Sequence, residues 1–281
     1  MPYTSLLTIV SDPAALPPIL AASISLARRD HAHLDVLCLA LDRDQIGQHF
    51  AGDTGVAQRD ARPAQSVAAL EMLVTAHLVA AASAASVDSA TVPLAGLAQL
   101  VARTTQFTDL VILTNPGGKA APTPARLLIA AALFHGRVPV LALPATTPLF
   151  PLTAPLGQEV VLAWNQSAAA LSAIRAALPI LRAARHVTIA IIDPQPDSAE
   201  RSDPGGALAQ MLAWHGIRAD VAVLARSLPR IADVLARVLR DRAADLLVLG
   251  AHPTSRFHGV TLGGTARDML DLAEIPLLMA G

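Results

Sequence analysis

The sequence predicts an α/β protein made of two tandem doubly wound domains, at residues 1–146 and 156–281. Each is a parallel sheet with helices on both faces. Three observations predict it. The 281 residues suit two domains of ordinary size. Hydrophobic residues make up 53% of the chain and aromatic residues only 3%. The cores must then be built of Ala, Leu, Val and Ile, as in parallel strands apolar on both faces. Third, the chain repeats its own plan once.

The repeat can be followed element by element. In the first half an apolar strand (Leu6–Val10) meets a polar turn, Ser11-Asp12-Pro13. A helical run to Arg29 and a second apolar strand, Leu34–Asp42, follow. In the second half Val160–Trp164, Asn165-Gln166-Ser167, a helix to Arg182 and Val187–Asp193 have the same order. That helix carries Leu171, Ile174, Leu178 and Leu181 at helical spacing. Ser167, and Ser11 or Asp12, stand where a helix needs a capping oxygen. Ala64–Ala82 and Asp203–His215 are the second helices, and Val87–Val92 and Arg218–Leu224 the third strands. The third helices, Leu97–Thr105 and Ile231–Arg242, lead into the fourth strands, Thr108–Leu113 and Ala244–Leu249. Asp109 and Asp245 read as loop or cap residues before those strands. The fourth helix of the first half is Arg126–Phe134. Each half closes on an X-Pro strand, Val138–Leu143 and Ile275–Ala280, because a residue before proline prefers extended backbone. Alternation of this kind implies a parallel sheet. Pro144–Pro155 holds four prolines and reads as the linker. Gln45–Pro63 reads as a polar loop.

Composition excludes several classes. The net charge of -1 leaves no basic field for nucleic acid. The single cysteine, Cys38, excludes an internal disulfide and a Cys-rich metal site. Nine histidines occur without an HExxH pattern, so no metal is expected. No G-x-S-x-G elbow is present for a serine hydrolase. Met1–Asp12 does not read as a signal peptide. The most apolar long stretch, Met72–Val87, is short of the roughly 20 residues of a membrane span. A cytoplasmic protein with no membrane partner is expected.

In a doubly wound sheet, ligands bind beyond the carboxyl ends of the strands. The candidates are Asn165–Ser167 and the stretch Gly250–Gly264. The second runs from a strand end, through a loop of about a dozen residues, to Gly263-Gly264-Thr265 opening a helix. Glycines let backbone approach an anion, and a helix N-terminus supplies free N–H groups. A tight turn is the plainer reading of the same glycines. The pattern is neither GxGxxG nor a Walker loop. His252 stands within reach of a phosphate there, or is an exposed loop residue. Trp164 reads as a core residue or as a platform for a base. Lys119, the one lysine, reads as a solvated loop residue.

This stretch resembles the G-x2-G-x9-G-[ST] signature of the universal stress protein family. Gly250 matches the first glycine and Gly263 the third. Pro253 stands where the second glycine belongs, and Gly264 where Ser or Thr is usual. The resemblance covers the tandem form of the family over the whole chain. It implies a five-stranded parallel sheet in order 3-2-1-4-5 in each domain. It implies ATP or AMP with Mg²⁺ as the ligand, in the C-terminal half. Asn165 replaces an Asp that faces the base, and backbone at Ile192 or Asp193 borders it. Gly250 lies near the ribose, and Gly263, Gly264 and the Thr265 amide cradle phosphate. It also implies antiparallel pairing of the two final strands, an internal pseudo-dimer, and allows association of two chains into a dimer. The implied role is a regulatory stress-response module acting on a protein partner, with at most slow ATP hydrolysis.

The departures carry weight. Pro253 has no N–H to offer, and Gly264 has no hydroxyl. Each lost contact is worth about 1–3 kcal/mol. The first-half loop, Thr114–Pro122, lacks the glycine spacing altogether, and no nucleotide is expected there. The alternative is therefore a scaffold of the same fold that binds no nucleotide. A pyrophosphatase-type ligase would need an S-G-G-x-D-S loop after the first strand, where this chain has Trp164-Asn165-Gln166-Ser167.

Overall fold

Apolar runs and polar turns settle into the expected alternation. The structure is a computed structural model that describes residues 2–42, 62–118, 124–145, 155–194, 203–256 and 259–281. Lys119, His258, the centre of the linker and nearly all of the expected Gln45–Pro63 loop lie outside the described residues. The first half contains strands β1 (Ser5–Val10), β2 (His33–Asp42), β3 (Ser86–Pro93), β4 (Leu110–Asn115) and β5 (Val140–Pro144). Its helices are α1 (Leu16–Asp30), α2 (Arg62–Ala80), α3 (Leu97–Thr104) and α4 (Pro124–Ala131). The second half contains β6 (Glu159–Ala163), β7 (His186–Ile192), β8 (Asp220–Leu224), β9 (Leu246–Gly250), β10 (Pro253–Arg256), β11 (Gly259–Leu262) and β12 (Leu277–Ala280). Its helices are α5 (Ala168–Leu181), α6 (Gly206–Trp214), α7 (Ile231–Asp241) and α8 (Gly264–Leu272).

Boundaries shift for local reasons. Helix α2 begins at Arg62 rather than Ala64 because a proline, Pro63, is tolerated in the first turn. Asp12 caps the 3₁₀ turn before α1, its Oδ1 accepting from Ala14 N at 2.9 Å. Helix α4 ends in a π turn over Ala132–Gly136.

The sheet order is β3-β2-β1-β4-β5-β12-β9-β6-β7-β8, so each half has the order 3-2-1-4-5. Every neighbour is parallel except at the centre, where β5 and β12 pair antiparallel through Leu277↔Ala142, Leu278↔Leu141 and Met279↔Val140. The expected pairing of the two final strands is thus present. It makes one ten-stranded sheet with an apolar layer on each face, and both layers run through both halves. Leu6, Leu34, Ile112, Leu162 and Val248 face one layer, and Leu7, Val111, Val161 and Leu249 the other. Tyr3 adds a tether: its buried hydroxyl donates to Ala176 O in α5 at 2.7 Å.

Several polar groups inside this frame are paired with one another. The hydroxyls of Thr8 and Ser23 meet at 2.6 Å, and Ser23 donates to Ile19 O. Cys38 is fully buried, and burial, followed by the charge of Glu71, pushes its thiol up to about 11. Asp109 and Asp245 hold equivalent strand starts. Asp109 Oδ2 accepts from Thr4 N and Thr4 Oγ1 at 2.7 Å and from Ser5 N at 3.1 Å. Asp245 accepts from Gln158 N at 2.9 Å and Glu159 N at 3.0 Å. Among the described residues, no helix is long and apolar enough to cross a membrane.

Candidate functional site

The strands of the second half end along one edge, and three turns meet there. After β6, Asn165 Oδ1 accepts from Ser167 N at 3.2 Å. Gln166 takes a left-handed φ of 63°. Ser167 then caps α5 by accepting from Ala170 N at 3.1 Å. That turn engages the Asn165 oxygen.

After β9 the chain departs from the expected irregular loop. Residues Pro253–Arg256 and Gly259–Leu262 form an antiparallel hairpin, β10–β11. A proline can open such a strand because the hairpin edge asks no N–H of it. Gly263 N donates to His252 O at 2.9 Å and closes the hairpin base. Gly263 is the N-cap of α8 with extended backbone, and among the described residues no side chain caps the helix. The first amides of α8 therefore keep their free donors and the positive end of the helix dipole.

These turns border a cavity of about 330 Å³. Its apolar wall includes Trp164, Ala190, Ile192, Ile231, Leu235 and Leu249. Its polar rim holds Asn165, His252 and Thr265, with the backbone of Gly250, Gly263 and Gly264. Six of the seven site residues read from the sequence thus stand around one space. Asp193 is not among the lining residues. It is exposed, with φ 50°, and its N–H donates to Leu224 O at 2.9 Å. Ile192 borders the cavity in its place. Among the described residues the lining has no Lys, Arg, Asp or Glu. Trp164 is 9% exposed and serves both core and wall; among the described residues its buried Nε1 has no hydrogen-bond partner.

The three glycines differ in what they do. A Cβ on Gly250 would sit 2.5 Å from Ala170 N and 2.7 Å from Ala169 C. The first turn of α5 crosses the strand end there, so packing alone requires that glycine. A Cβ on Gly263 would stand 3.2 Å from His252 O, whereas one on Gly264 would meet nothing within 4 Å.

Ile231 and Leu235 were not read from the sequence as site residues. They come from the first turns of α7, and Ile231 is 36% exposed. Their apolar i, i+4 spacing reads equally as a core stripe, so the sequence carried no signal specific to a cavity wall.

The first half lacks this arrangement for a structural reason. Counting back equally from Pro139 and Pro276, Gly264 and Thr265 correspond to Leu127 and Leu128. Helix α4 is already formed at Pro124, so those amides lie inside the helix. No free helix start faces the strand ends at that position. Among the described residues no cluster of His, Cys, Asp or Glu could hold a metal ion.

Comparison with known proteins agrees with this architecture. Residues 158–281 match the model of the universal stress protein family. No curated protein matches the chain. A universal stress protein from Archaeoglobus fulgidus DSM 4304 has a similar structure, with a TM-score of 0.68 at 11% identity, covering 98% of this chain and 97% of its own. A putative universal stress protein from Pseudomonas aeruginosa UCBPP-PA14 has a TM-score of 0.59 at 20% identity, covering 99% and 93%. A functionally unknown protein from Pseudomonas aeruginosa PAO1 has a TM-score of 0.57 at 19% identity, covering 99% and 92%. At these identities the likeness is one of fold.

Proposed function

We propose that this chain, whose residues 158–281 belong to the universal stress protein family, is a regulatory stress-response module that binds ATP or AMP in its C-terminal half. Its output is a change of shape or of affinity for a protein partner in the cytoplasm. The observation that carries the reading is one cavity lined both by apolar side chains and by the start of α8. The apolar wall, Trp164 and Leu235 included, would receive the base, with the Asn165 amide as a donor. Phosphate fits at the amides of Gly264 and Thr265, with the Thr265 hydroxyl and His252 beside it. Among the described residues no carboxylate lines the space, so Mg²⁺ would be held by the phosphates. At most slow ATP hydrolysis is expected, since among the described residues the lining offers no carboxylate to act as a general base.

A second reading is a scaffold of the same fold that binds no nucleotide. Pro253 and Gly264 favour it, as does the absence of a cation in the described lining. Two lost contacts of about 1–3 kcal/mol each would weaken a micromolar site tenfold or more. Isothermal titration of MgATP separates the two, run beside Gly263→Val, whose side chain would press on His252 O. Saturable binding near one site per chain, lost in the variant, supports the nucleotide-binding module. No heat up to millimolar MgATP leaves the scaffold.

A further inference from the structure

The two halves are joined by more than their central strands. Asn115 ends β4 in the first half and is 1% exposed. Its Nδ2 donates to Leu270 O of α8 at 2.9 Å. Its Oδ1 accepts from Gly117 N at 3.3 Å, which fixes the orientation of the amide. Beside it, Gly118 N donates to Asp271 O at 3.2 Å. The guanidinium of Arg126 meets both the Asp271 carboxylate and Gly118 O. Leu270 O and Asp271 O are among the last carbonyls of α8, which the helix itself cannot pair. The first half supplies their donors.

The opposite end of α8 is the rim of the cavity. The helix has nine residues. At about 1.5 Å per residue, Gly264 lies about 9 Å along the axis from Leu270. A tilt of about 10° about the held end would move the Gly264 amide by about 1.5 Å, more than a hydrogen bond tolerates. The grip is also one-sided. Counting from the equivalent residues Asp109 and Asp245, the counterpart of Asn115 is Ala251, which has no side-chain donor. Among the described residues, no matching side-chain donor of the second half holds helix α4.

We propose that Asn115 is a positioning residue for the cavity of the other half. The loop Asn115–Gly118, which lacks the glycine spacing of a ligand loop, holds α8 by its C-terminal end and so sets the helix start at the rim. By reciprocity, an anion bound at that rim is felt at the seam between the halves. The ligand part of this inference rests on the nucleotide reading above; the mechanical part does not.

The test combines hydrogen exchange with titration on the full chain. Asn115→Asp keeps the shape and replaces the donor with an acceptor. In ligand-free protein it is expected to speed exchange of the Arg267–Leu270 amides and of Gly263 N–H about tenfold, leaving β6 and β7 unchanged. It is expected to weaken MgATP binding about tenfold. In the wild type, MgATP should slow exchange at Gly118 N–H. Unchanged exchange in α8, or equal MgATP affinity in variant and wild type, overturns the proposal. A wild type that binds no MgATP defeats the nucleotide reading instead, and the ligand-free exchange then decides the grip alone. Should Asn115→Asp not fold, Asp271→Asn weakens the same helix end and is read in the same way.

Discussion

Gly250→Ala isolates what packing demands at the strand end from what a ligand demands. The added methyl would stand 2.5 Å from Ala170 N and 2.7 Å from Ala169 C, where ordinary contacts begin near 3.4 Å. Both atoms are backbone of the first turn of α5 and cannot rotate away. Relief requires α5 to lift from β9 by close to an ångström. That helix is seated by Ala169, Ala170, Ala173, Ile174 and Ala177, each at most 4% exposed. Its small side chains bring it close to the sheet, and lifting it opens gaps along the whole contact. Overpacking of this kind costs about 1–3 kcal/mol, and backbone contacts place this case at the upper end. With an unfolding entropy of about 2.1 cal/mol/K per residue, 281 residues give roughly 0.6 kcal/mol/K. A loss of about 2–3 kcal/mol then lowers Tm by about 3–5 °C. Differential scanning calorimetry without ligand reads the shift. An unchanged or higher midpoint would refute the packing account of Gly250.

Gly264→Ser should behave in the opposite way. Its side chain enters open space, so Tm should move by less than about 1 °C, while a hydroxyl at the helix start should tighten MgATP about tenfold by titration. Loss of affinity would place the phosphate elsewhere. The paired aspartates should respond to pH with opposite signs. Burial raises the Asp109 pKa, but the hydrogen bonds from Thr4 and Ser5 outweigh it and hold it below its ordinary value. Its contribution is present above the unfolded pKa of about 3.9 and is lost as pH falls through the folded value. Burial holds Asp245 above its ordinary value, with hydrogen bonds from Gln158 and Glu159 opposing. Its contribution is complete below the unfolded pKa and is lost as pH rises through the folded value. Urea midpoints from pH 3 to 6 should therefore show the penalty of Asp109→Asn growing with pH and that of Asp245→Asn shrinking. Slopes of the same sign would refute this assignment. Tyr3→Phe removes the tether to Ala176 O and should cost about 1 kcal/mol in urea unfolding; no loss would mean the tether adds nothing.

Much of the fold was legible because two signals reinforced each other. Long apolar runs marked the buried strands, and the repeat confirmed each one against its counterpart. The X-Pro strands at Val138 and Ile275 were readable for the same reason. The β10–β11 hairpin was not. Its strands are four residues each, one opened by Pro253 and the other by Gly259, and short polar runs with such residues look like loop. Pro253 read only as a lost amide; the hairpin gives it a positive role as the first residue of an edge strand. The site was legible where glycines and turns marked it, and illegible where a helix from elsewhere supplied the wall. Nothing local at Ile231 or Leu235 distinguishes a cavity wall from a core stripe. Asn115 was hidden for a related reason: its partner lies 155 residues away, so only the meeting of the two halves shows what it holds.

The two halves began from one plan and now differ most where a ligand would bind. In the second half, a hairpin and an uncapped α8 leave donors at the end of an apolar cavity. In the first, α4 starts early enough to consume the equivalent amides, and the strand-end loop is turned to the seam. Neither change disturbs the centre of the sheet, because the β5–β12 pairing runs through Val140–Ala142 and Leu277–Met279, away from those turns. A tandem fold of this kind can give up one site without losing stability, provided the freed loop finds partners for its own polar groups. Asn115 and Gly118 find them on the last carbonyls of α8. The first half thereby holds the helix whose other end borders the cavity of the second.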